Sequence, residues 1–540
     1  YISKSTLITS MGMGVAQHYE AMLSGVSVAG QSISVSLSEP QLSHIENIMA
    51  QATCDVLPHD IGGRTAVIIS TTKGDIDNIH RRNPLDFSAY KQYISQQYPE
   101  VKPLDVIIIS NACISGVAAV IVADRYIKAG YYDNIVVVGA DLMTEFTTSG
   151  FKAFKSVSAE LCRPYDVRRD GLSLGEACGA ILLTCNDSLS EGYIVCGGSM
   201  TNDANHISGP SRTGQPLGQA IEEALSEASL SADDIAFINA HGTATIYNDE
   251  MESKAIAHAG LSKIPINSLK PYFGHTLGAS GVIEIALSVE QHRRGTLLAT
   301  LGFEQLGTPF PLNVSSQSRT ICGKAFVKTA SGFGGCNAAV VIARDDSIAI
   351  SSSYDASDID TKRIASVTIK DGIIQSDVAE LYRCNDDFAT FIRAAYKQLG
   401  DINAKFYKMS DICKLGYIGM EFLVRCIGTN MAQTDKIGIV MRNINSSTET
   451  DKQHRAMLDD CIPVSPAIFV YTLPNIIIGE ISIRHRITGE GLFFISDSDE
   501  EVDRYAKALM HRHRYDAVVV GSCDKLGEHY YLKMEYVVRQ

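Results

Sequence analysis

Asp105-Val106-Ile107-Ile108-Ile109-Ser110-Asn111-Ala112-Cys113-Ile114-Ser115-Gly116 is the stretch on which the fold turns. Its β-branched run has no polar alternation, which fits a strand covered on both faces. The small residues Ala112, Ser115 and Gly116 then permit a tight turn into a helical pattern over residues 115–129. Cys113 therefore falls where a buried strand becomes a helix, the geometry of a nucleophile elbow. At a helix N-terminus the macrodipole favours a thiolate, so the expected thiol pKa lies below its free value of about 8.5. From this stretch alone the alternative is a buried structural cysteine, because a reactive thiol needs a base or a charge brought from elsewhere.

The same rhythm extends outward. Thr65-Ala66-Val67-Ile68-Ile69-Ser70 and Asn134-Ile135-Val136-Val137-Val138-Gly139 read as further buried strands, and residues 216–229 as a further helix. A second set of strands, 235–238, 324–327 and 338–342, repeats the alternation. Alternating strands and helices predict an α/β layered fold in two halves, residues 1–190 and 191–345. Beyond Arg344 the chain turns polar and loses periodicity, so 346–364 reads as a linker. Alternation resumes over 365–540. There Asp516-Ala517-Val518-Val519-Val520-Gly521-Ser522-Cys523-Asp524 echoes Asp133-Asn134-Ile135-Val136-Val137-Val138-Gly139-Ala140-Asp141, as an internal repeat would. In this later copy the strand before the echo runs into Ile495-Ser496-Asp497-Ser498, without a thiol.

A chain of 540 residues is too long for one core, so two or more domains are expected. With 45% hydrophobic and 20% charged residues the composition is that of a globular protein. A net charge of -14 without a concentrated Lys/Arg face argues against nucleic acid as a partner. Thirteen cysteines, an odd number without repeated spacing, point to a reducing, cytoplasmic compartment. No run approaches a membrane span, and Tyr1-Ile2-Ser3-Lys4 does not open a signal sequence, so neither insertion nor export is expected.

Two segments offer partners for Cys113. They are Asn239-Ala240-His241-Gly242-Thr243-Ala244-Thr245 and Lys270-Pro271-Tyr272-Phe273-Gly274-His275-Thr276-Leu277-Gly278-Ala279-Ser280-Gly281. Small residues around each histidine leave room for a ligand. A lone histidine is more often a satisfied core or surface residue, but several such segments together reverse that weighting. A glycine-rich loop, Ser331-Gly332-Phe333-Gly334-Gly335-Cys336-Asn337, can turn backbone N–H groups toward an oxyanion; alone it would read as a hairpin turn.

These segments in this order resemble the β-ketoacyl-ACP synthases of KAS I/II type, condensing enzymes of the thiolase superfamily. Arg163-Pro164-Tyr165-Asp166 with Arg169-Asp170-Gly171 and Gly175-Glu176, and Asn202 to Ser208, are similar to further family stretches, so the likeness covers residues 1–345. The resemblance implies a thiolase-like duplicated αβαβα layered fold and a decarboxylative Claisen condensation. It implies Cys113 as acyl carrier, with its own amide and that of Phe333 as the oxyanion hole. His241 and His275 would bind the malonyl thioester, oriented by Lys270 with Glu284. Thr243 and Thr245 would contact pantetheine, with His206, Ser208 and Gly334 among the other substrate contacts. No metal or redox cofactor is implied; substrates travel on the phosphopantetheine of an acyl carrier protein, met by a basic rim of Lys152, Lys155, Arg168 and Arg169. A homodimer, or a heterodimer with a ketosynthase-like partner, is expected.

Residues 365–540 resemble only the N-terminal half of the same family, as an extra α/β half-domain. Ser465 to His485 is similar to the helix that precedes the nucleophile in condensing enzymes and chain-length factors. Lacking the elbow thiol, this copy is expected to be silent, with Cys461 and Cys523 structural. The run His511-Arg512-His513-Arg514 reads as a solvated helix face rather than a metal site. The region before Cys113 is short for the family, which leaves dimer contacts and acyl-pocket walls open. The leading function is 3-oxoacyl-[acyl-carrier-protein] synthase in fatty acid, polyketide or aryl polyene-type synthesis. The alternatives are a non-catalytic chain-length-factor-like scaffold and a non-decarboxylating thiolase acting on CoA esters.

Overall fold

The strand Val106–Ile109 is buried throughout and, leaving aside the two-residue Gly12–Met13, is the third of five strands in the first half. A computed structural model describes residues 1–34, 39–102, 105–348, 359–400, 403–511 and 514–540. Of the polar linker stretch, 349–358 lies outside the described residues, as do Arg512 and His513, and the linker ends earlier than expected, because Thr361–Lys370 is already a strand.

In the first half, Thr65–Ser70 pairs in parallel with Val106–Ile109 on one side and Asn134–Asp141 on the other. Ala177–Thr184 and then Ile2–Thr9 continue the sheet antiparallel. The spatial order is third, second, fourth, fifth, first. The second half repeats it with Pro265–Asn267, Ile235–Asn239, Ala325–Gly332, Cys336–Arg344 and Tyr193–Asn202. The third unit repeats it again with Gly491–Ile495, Ile437–Asn443, Ala517–Leu526, His529–Arg539 and Thr361–Lys370.

Helices Ser115–Lys128 and Ser280–Arg293 pack on each other between the first two sheets. Both are buried almost all round, as a central layer must be. His44–Val56 covers the outer face of the first sheet, and Gln215–Ala228 that of the second. This is the duplicated five-layer α/β arrangement expected from the sequence. Strands inside it, such as Asn134–Asp141 and Tyr193–Asn202, are buried at every position. The third unit differs. Along His529–Arg539 the side chains of Leu532, Met534 and Tyr536 are buried under helix Asp411–Ile427, while Lys533 and Glu535 between them are partly exposed and ion-paired at 3.3 Å.

The third unit joins the first edge to edge. Phe494 faces Ile109 and Ile495 faces Ile108 in an antiparallel pair. Asn111, two residues before the candidate nucleophile, donates its side-chain amide to the Gly491 carbonyl at 3.1 Å. Buried charges tie the same seam. Arg125 on the helix after Cys113 binds Glu490 at 2.6 Å and also contacts Tyr505, and Lys73 binds Asp451 at 3.1 Å.

The sequence echo has a structural counterpart. Asp141 ends the fourth strand of its unit and accepts from the backbone N–H groups of Thr72 at 2.9 Å and Lys73 at 3.1 Å, just past the second strand. Asp524 accepts in the same way from Ile444 at 2.7 Å and Asn445 at 3.2 Å. Two expectations are corrected. Residues 465–485 form two helices, Pro466–Tyr471 and Ile476–His485, because Pro474 supplies no N–H and crowds the preceding turn. Arg514 is not solvated: its guanidinium is ion-paired with Glu223 and donates to Ser199 Oγ at 2.8 Å.

Candidate active site

Cys113 lies in a turn so tight that Ala112 adopts a left-handed φ of 51°. Ser115 fixes that turn, its Oγ accepting from the Asn111 N–H at 2.8 Å and donating to the Ala112 carbonyl at 2.6 Å. Helix Ser115–Lys128 begins immediately after. Glycine at 116 lets the His275 segment approach, since a Cβ there would stand 2.9 Å from the Gly278 carbonyl oxygen.

His241 follows the second strand of its half. Its backbone N–H donates to Glu252 Oε1 at 2.8 Å, and Glu252 also accepts from the Gly242 N–H and the Tyr165 hydroxyl at 2.8 Å each. His275 is held by its backbone N–H on the Ser173 carbonyl at 2.7 Å and by a hydrogen bond between Nδ1 and Ser280 Oγ at 3.1 Å. The two imidazole rings stand edge to face, centroids 5.3 Å apart. Cys113, both rings and Phe333 border one cavity of about 310 Å³, reached past Thr243, Thr245 and Ser208. The glycine-rich loop lies against the elbow: a Cβ on Gly332 would be 3.1 Å from the Cys113 backbone nitrogen.

Lys270 and Glu284 stand behind this cavity rather than on its wall. Both are buried, and Lys270 Nζ donates to Glu284 Oε1 at 2.7 Å. Lys328, which the sequence reading passed over, is ion-paired to the other carboxylate oxygen at 2.5 Å. Burial pushes the Cys113 thiol up to about 12, with the Lys270 ammonium acting only as a partial counterweight. Desolvation outweighs the charge of Lys270, which Glu284 already engages. Burial, reinforced by Lys270, holds both imidazoles well below the ordinary histidine value, so both are neutral at pH 7. Neutral imidazoles each carry one N–H donor, suited to a carbonyl oxygen gaining negative charge.

Other sequence-predicted contacts are placed differently. Gly334 turns from the cavity, its N–H on the Ile207 carbonyl at 2.6 Å and its flank against helix Ile476–His485. His206 is exposed, and its Nδ1 accepts from the backbone N–H groups of Ser208 and Gly209 at 3.1 Å each, capping a turn. Arg169 is buried, with Nη1 donating to the Asp166 and Gly307 carbonyls at 3.0 and 2.9 Å, so it braces loops; Lys152 and Lys155 are exposed, and Arg168 is exposed but ion-paired with Glu304 at 2.7 Å.

The aromatic wall had no signal in the sequence reading. Phe151 and Phe154 border the cavity, and Phe469 of the third unit meets Phe151 at 5.3 Å between ring centroids. A Cβ on Gly150 would stand 2.2 Å from the Phe469 ring. Asn475, also of the third unit, donates to the Phe333 carbonyl at 2.8 Å. The third unit therefore supports the loop that carries Phe333.

Residues 105–187 match the family model described as Beta-ketoacyl synthase, N-terminal domain, and residues 193–304 that of the C-terminal domain. Over these residues the chain is similar to the β-ketoacyl synthase family. The ketosynthase part is 31% identical over 251 residues to the chloroplastic 3-oxoacyl-[acyl-carrier-protein] synthase II of Arabidopsis thaliana, covering 44% of this chain and 46% of that one. It is 31% identical over 258 residues to the tetracenomycin polyketide synthase ketoacyl synthase alpha subunit of Streptomyces glaucescens, covering 44% and 60%. The chain thus spans between 46% and 60% of the length of these curated relatives. Among solved structures, the ketosynthase ApeO of Xenorhabdus doucetiae in complex with its chain length factor ApeC is 25% identical with a TM-score of 0.56, over 64% of this chain and 97% of that one. The PfaC keto synthase-chain length factor shares the fold over 100% of this chain and 78% of its own, at a TM-score of 0.75 and 13% identity. Among the described residues no helix is long and apolar enough to cross a membrane.

Proposed function

We propose that the protein is a 3-oxoacyl-[acyl-carrier-protein] synthase whose third unit, which begins with the strand Thr361–Lys370, is a silent partner of chain-length-factor type fused in the same chain. The observation that carries this reading is the meeting of Cys113, two neutral imidazoles and the Phe333 loop around one cavity.

In the first half-reaction the Cys113 sulfur attacks an acyl thioester. Its S–C bond forms as the carrier's C–S bond breaks, and the thiol proton passes to the departing carrier thiol. The amides of Cys113 and Phe333 face the oxygen that becomes negative, which lowers the barrier most where charge develops. A malonyl thioester then enters past Thr243 and Thr245. Loss of CO2 leaves its bonding pair as an enolate, whose oxygen takes N–H donation from His241 and His275. The enolate carbon attacks the Cys113 ester; a C–C bond forms, the C–S bond to Cys113 breaks, and the thiolate takes up a proton. Thiol, imidazoles and backbone supply every role, so the reading calls on no metal or redox cofactor. Delivery on an acyl carrier protein is supported by the exposed Lys152 and Lys155, which adjoin the cavity-lining Phe151, Phe154 and Ser156.

The test uses the full chain with acyl- and malonyl-loaded carrier protein. Cys113→Ala is expected to lose the acyl mass increment entirely. His275→Ala is expected to keep acylation while CO2 release falls about 100-fold, as for loss of an oxyanion donor. Condensation persisting in Cys113→Ala overturns the nucleophile, and a wild-type protein that neither acylates nor releases CO2 overturns the whole reading.

A further inference from the structure

We propose that Lys328 is a positioning residue of the reaction centre: by gripping the second oxygen of Glu284 it sets two ammonium groups, rather than one, behind the imidazole pair. Its effect on rate rests on the condensation reading above; its effect on Cys113 does not.

Lys328 sits in strand Ala325–Gly332, all but the last residue of which is buried, and its own side chain is 0% exposed. A lysine in such a strand is costly unless it is paired and hydrogen-bonded. Both conditions are met, by the ion pair to Glu284 Oε2 at 2.5 Å and by Nζ donation to the Ala240 carbonyl at 3.3 Å. Lys270 holds Oε1 of the same carboxylate at 2.7 Å. One carboxylate between two ammoniums leaves that triad one positive charge in excess. Ala240 immediately precedes His241, so Lys328 touches the backbone that carries one imidazole.

The charged and titratable groups facing Lys328 come from each neighbouring element. Glu284 comes from helix Ser280–Arg293, Lys270 and His275 from the segment before it, Glu252 from helix Ile246–His258, and His241 from the strand end. Glu252 is occupied by the N–H groups of His241 and Gly242 and by the hydroxyls of Tyr165 and Thr329. Lys328 is thus a second cation, beside Lys270, that disfavours protonation of both rings. Rings kept neutral donate N–H without delivering a proton to the enolate, and the excess positive charge favours the oxyanion formed as CO2 leaves. Burial brings the Lys328 ammonium down to about 8, with Glu284 opposing, so its charge is present at pH 7 and is lost as the pH rises through that value.

The experiment compares wild type with Lys328→Met and Lys328→Arg in the full chain, by two readouts. The first is the rate of Cys113 alkylation by iodoacetamide against pH, which needs no substrate. Removing one cation raises the imidazole pKa, and an imidazolium beside the thiol favours thiolate. Lys328→Met is therefore expected to alkylate severalfold faster than wild type at pH 6, up to about tenfold for one pKa unit. The second readout is CO2 release from malonyl-loaded carrier. Wild type should lose activity through about pH 8 as the Lys328 charge goes; Lys328→Met should be slower at pH 7 by about 10-fold or more and lack that fall. Lys328→Arg should restore the rate at pH 7 and hold it to higher pH. Alkylation profiles of Lys328→Met that superimpose on wild type overturn the assignment. Should Lys328→Met not fold, Lys328→Arg decides through CO2 release: its fixed charge predicts that the rate wild type loses between pH 7 and pH 9 is retained, and superimposable profiles overturn the proposal. Wild type that alkylates normally but releases no CO2 sinks the condensation reading while leaving the alkylation result on Lys328 standing.

Discussion

At Cys113 two opposed effects meet, and burial prevails over the charge of Lys270, so the resting side chain is a thiol beside two neutral imidazoles. The histidines make the pH consequence explicit. Their folded values lie below the ordinary 6.5, so the unfolded chain takes up protons first on acidification, and the stability they contribute is lost as the pH falls below about 6.5. Buried acids such as Asp203, raised to about 6, push the other way, so the test is a difference. The thermal midpoint of wild type is expected to fall more steeply between pH 7 and pH 5.5 than that of His275→Asn, which has no imidazole to charge; parallel slopes would contradict a buried neutral His275. Cys113, His241 and His275 were legible in the sequence because small residues frame each of them, Cys113 and His241 just past a strand and His275 after the short helix Lys270–Phe273. Lys328 was not, although a lysine directly after the apolar run Ala325-Phe326-Val327, in the same strand pattern, is itself a signal. Arg169 misled for the converse reason: its burial depends on Asp249 and on carbonyls far along the chain.

At the scale of elements, the sequence resolves what is periodic and misses what depends on a distant partner. Strand Thr65–Ser70 and helix Ser115–Lys128 stand where the patterns put them, and the matched aspartates of the echoed strands perform the same backbone capping in two units. The break between Pro466–Tyr471 and Ile476–His485 is written in Pro474, yet an apolar run on both sides of it reads as one helix. The aromatic wall had no such trace, because Phe469 acquires its role only from Gly150, where the missing side chain leaves room for its ring. Phe469 is 4% exposed and packs on Phe146, Phe151 and Phe154. Phe469→Ala is therefore expected to cost about 3–5 kcal/mol in denaturant unfolding and to open the cavity toward the third unit. Mass spectrometry of Cys113 after incubation with a ladder of acyl-carrier substrates should show longer or bulkier chains accepted by this variant. An unchanged ladder with normal folding would place the acyl chain elsewhere.

At the scale of the molecule, the decisive feature is an edge. A strand left at the side of a sheet presents unpaired N–H and C=O groups and invites a second chain. The strand leading to Cys113 would be such an edge, but Gly491–Ile495 of the same chain pairs with it, and the buried Arg125–Glu490 and Lys73–Asp451 pairs hold that seam from both sides. Within one chain, the third unit thus occupies the edge of the strand that leads to Cys113. Two consequences follow for solution behaviour. Wild type should sediment with the mass of one chain, 58.5 kDa, since the edge that a second copy would use is taken. Glu490→Ala leaves Arg125 buried without its carboxylate, a loss of about 3–5 kcal/mol, and should loosen the seam. The variant is then expected to show faster amide exchange in residues 106–109 and 491–495 together, with a shift toward larger species as the freed edges pair between chains. A dimeric wild type whose amide exchange in both strands is unaffected by Glu490→Ala would mean that the seam is not what satisfies this edge.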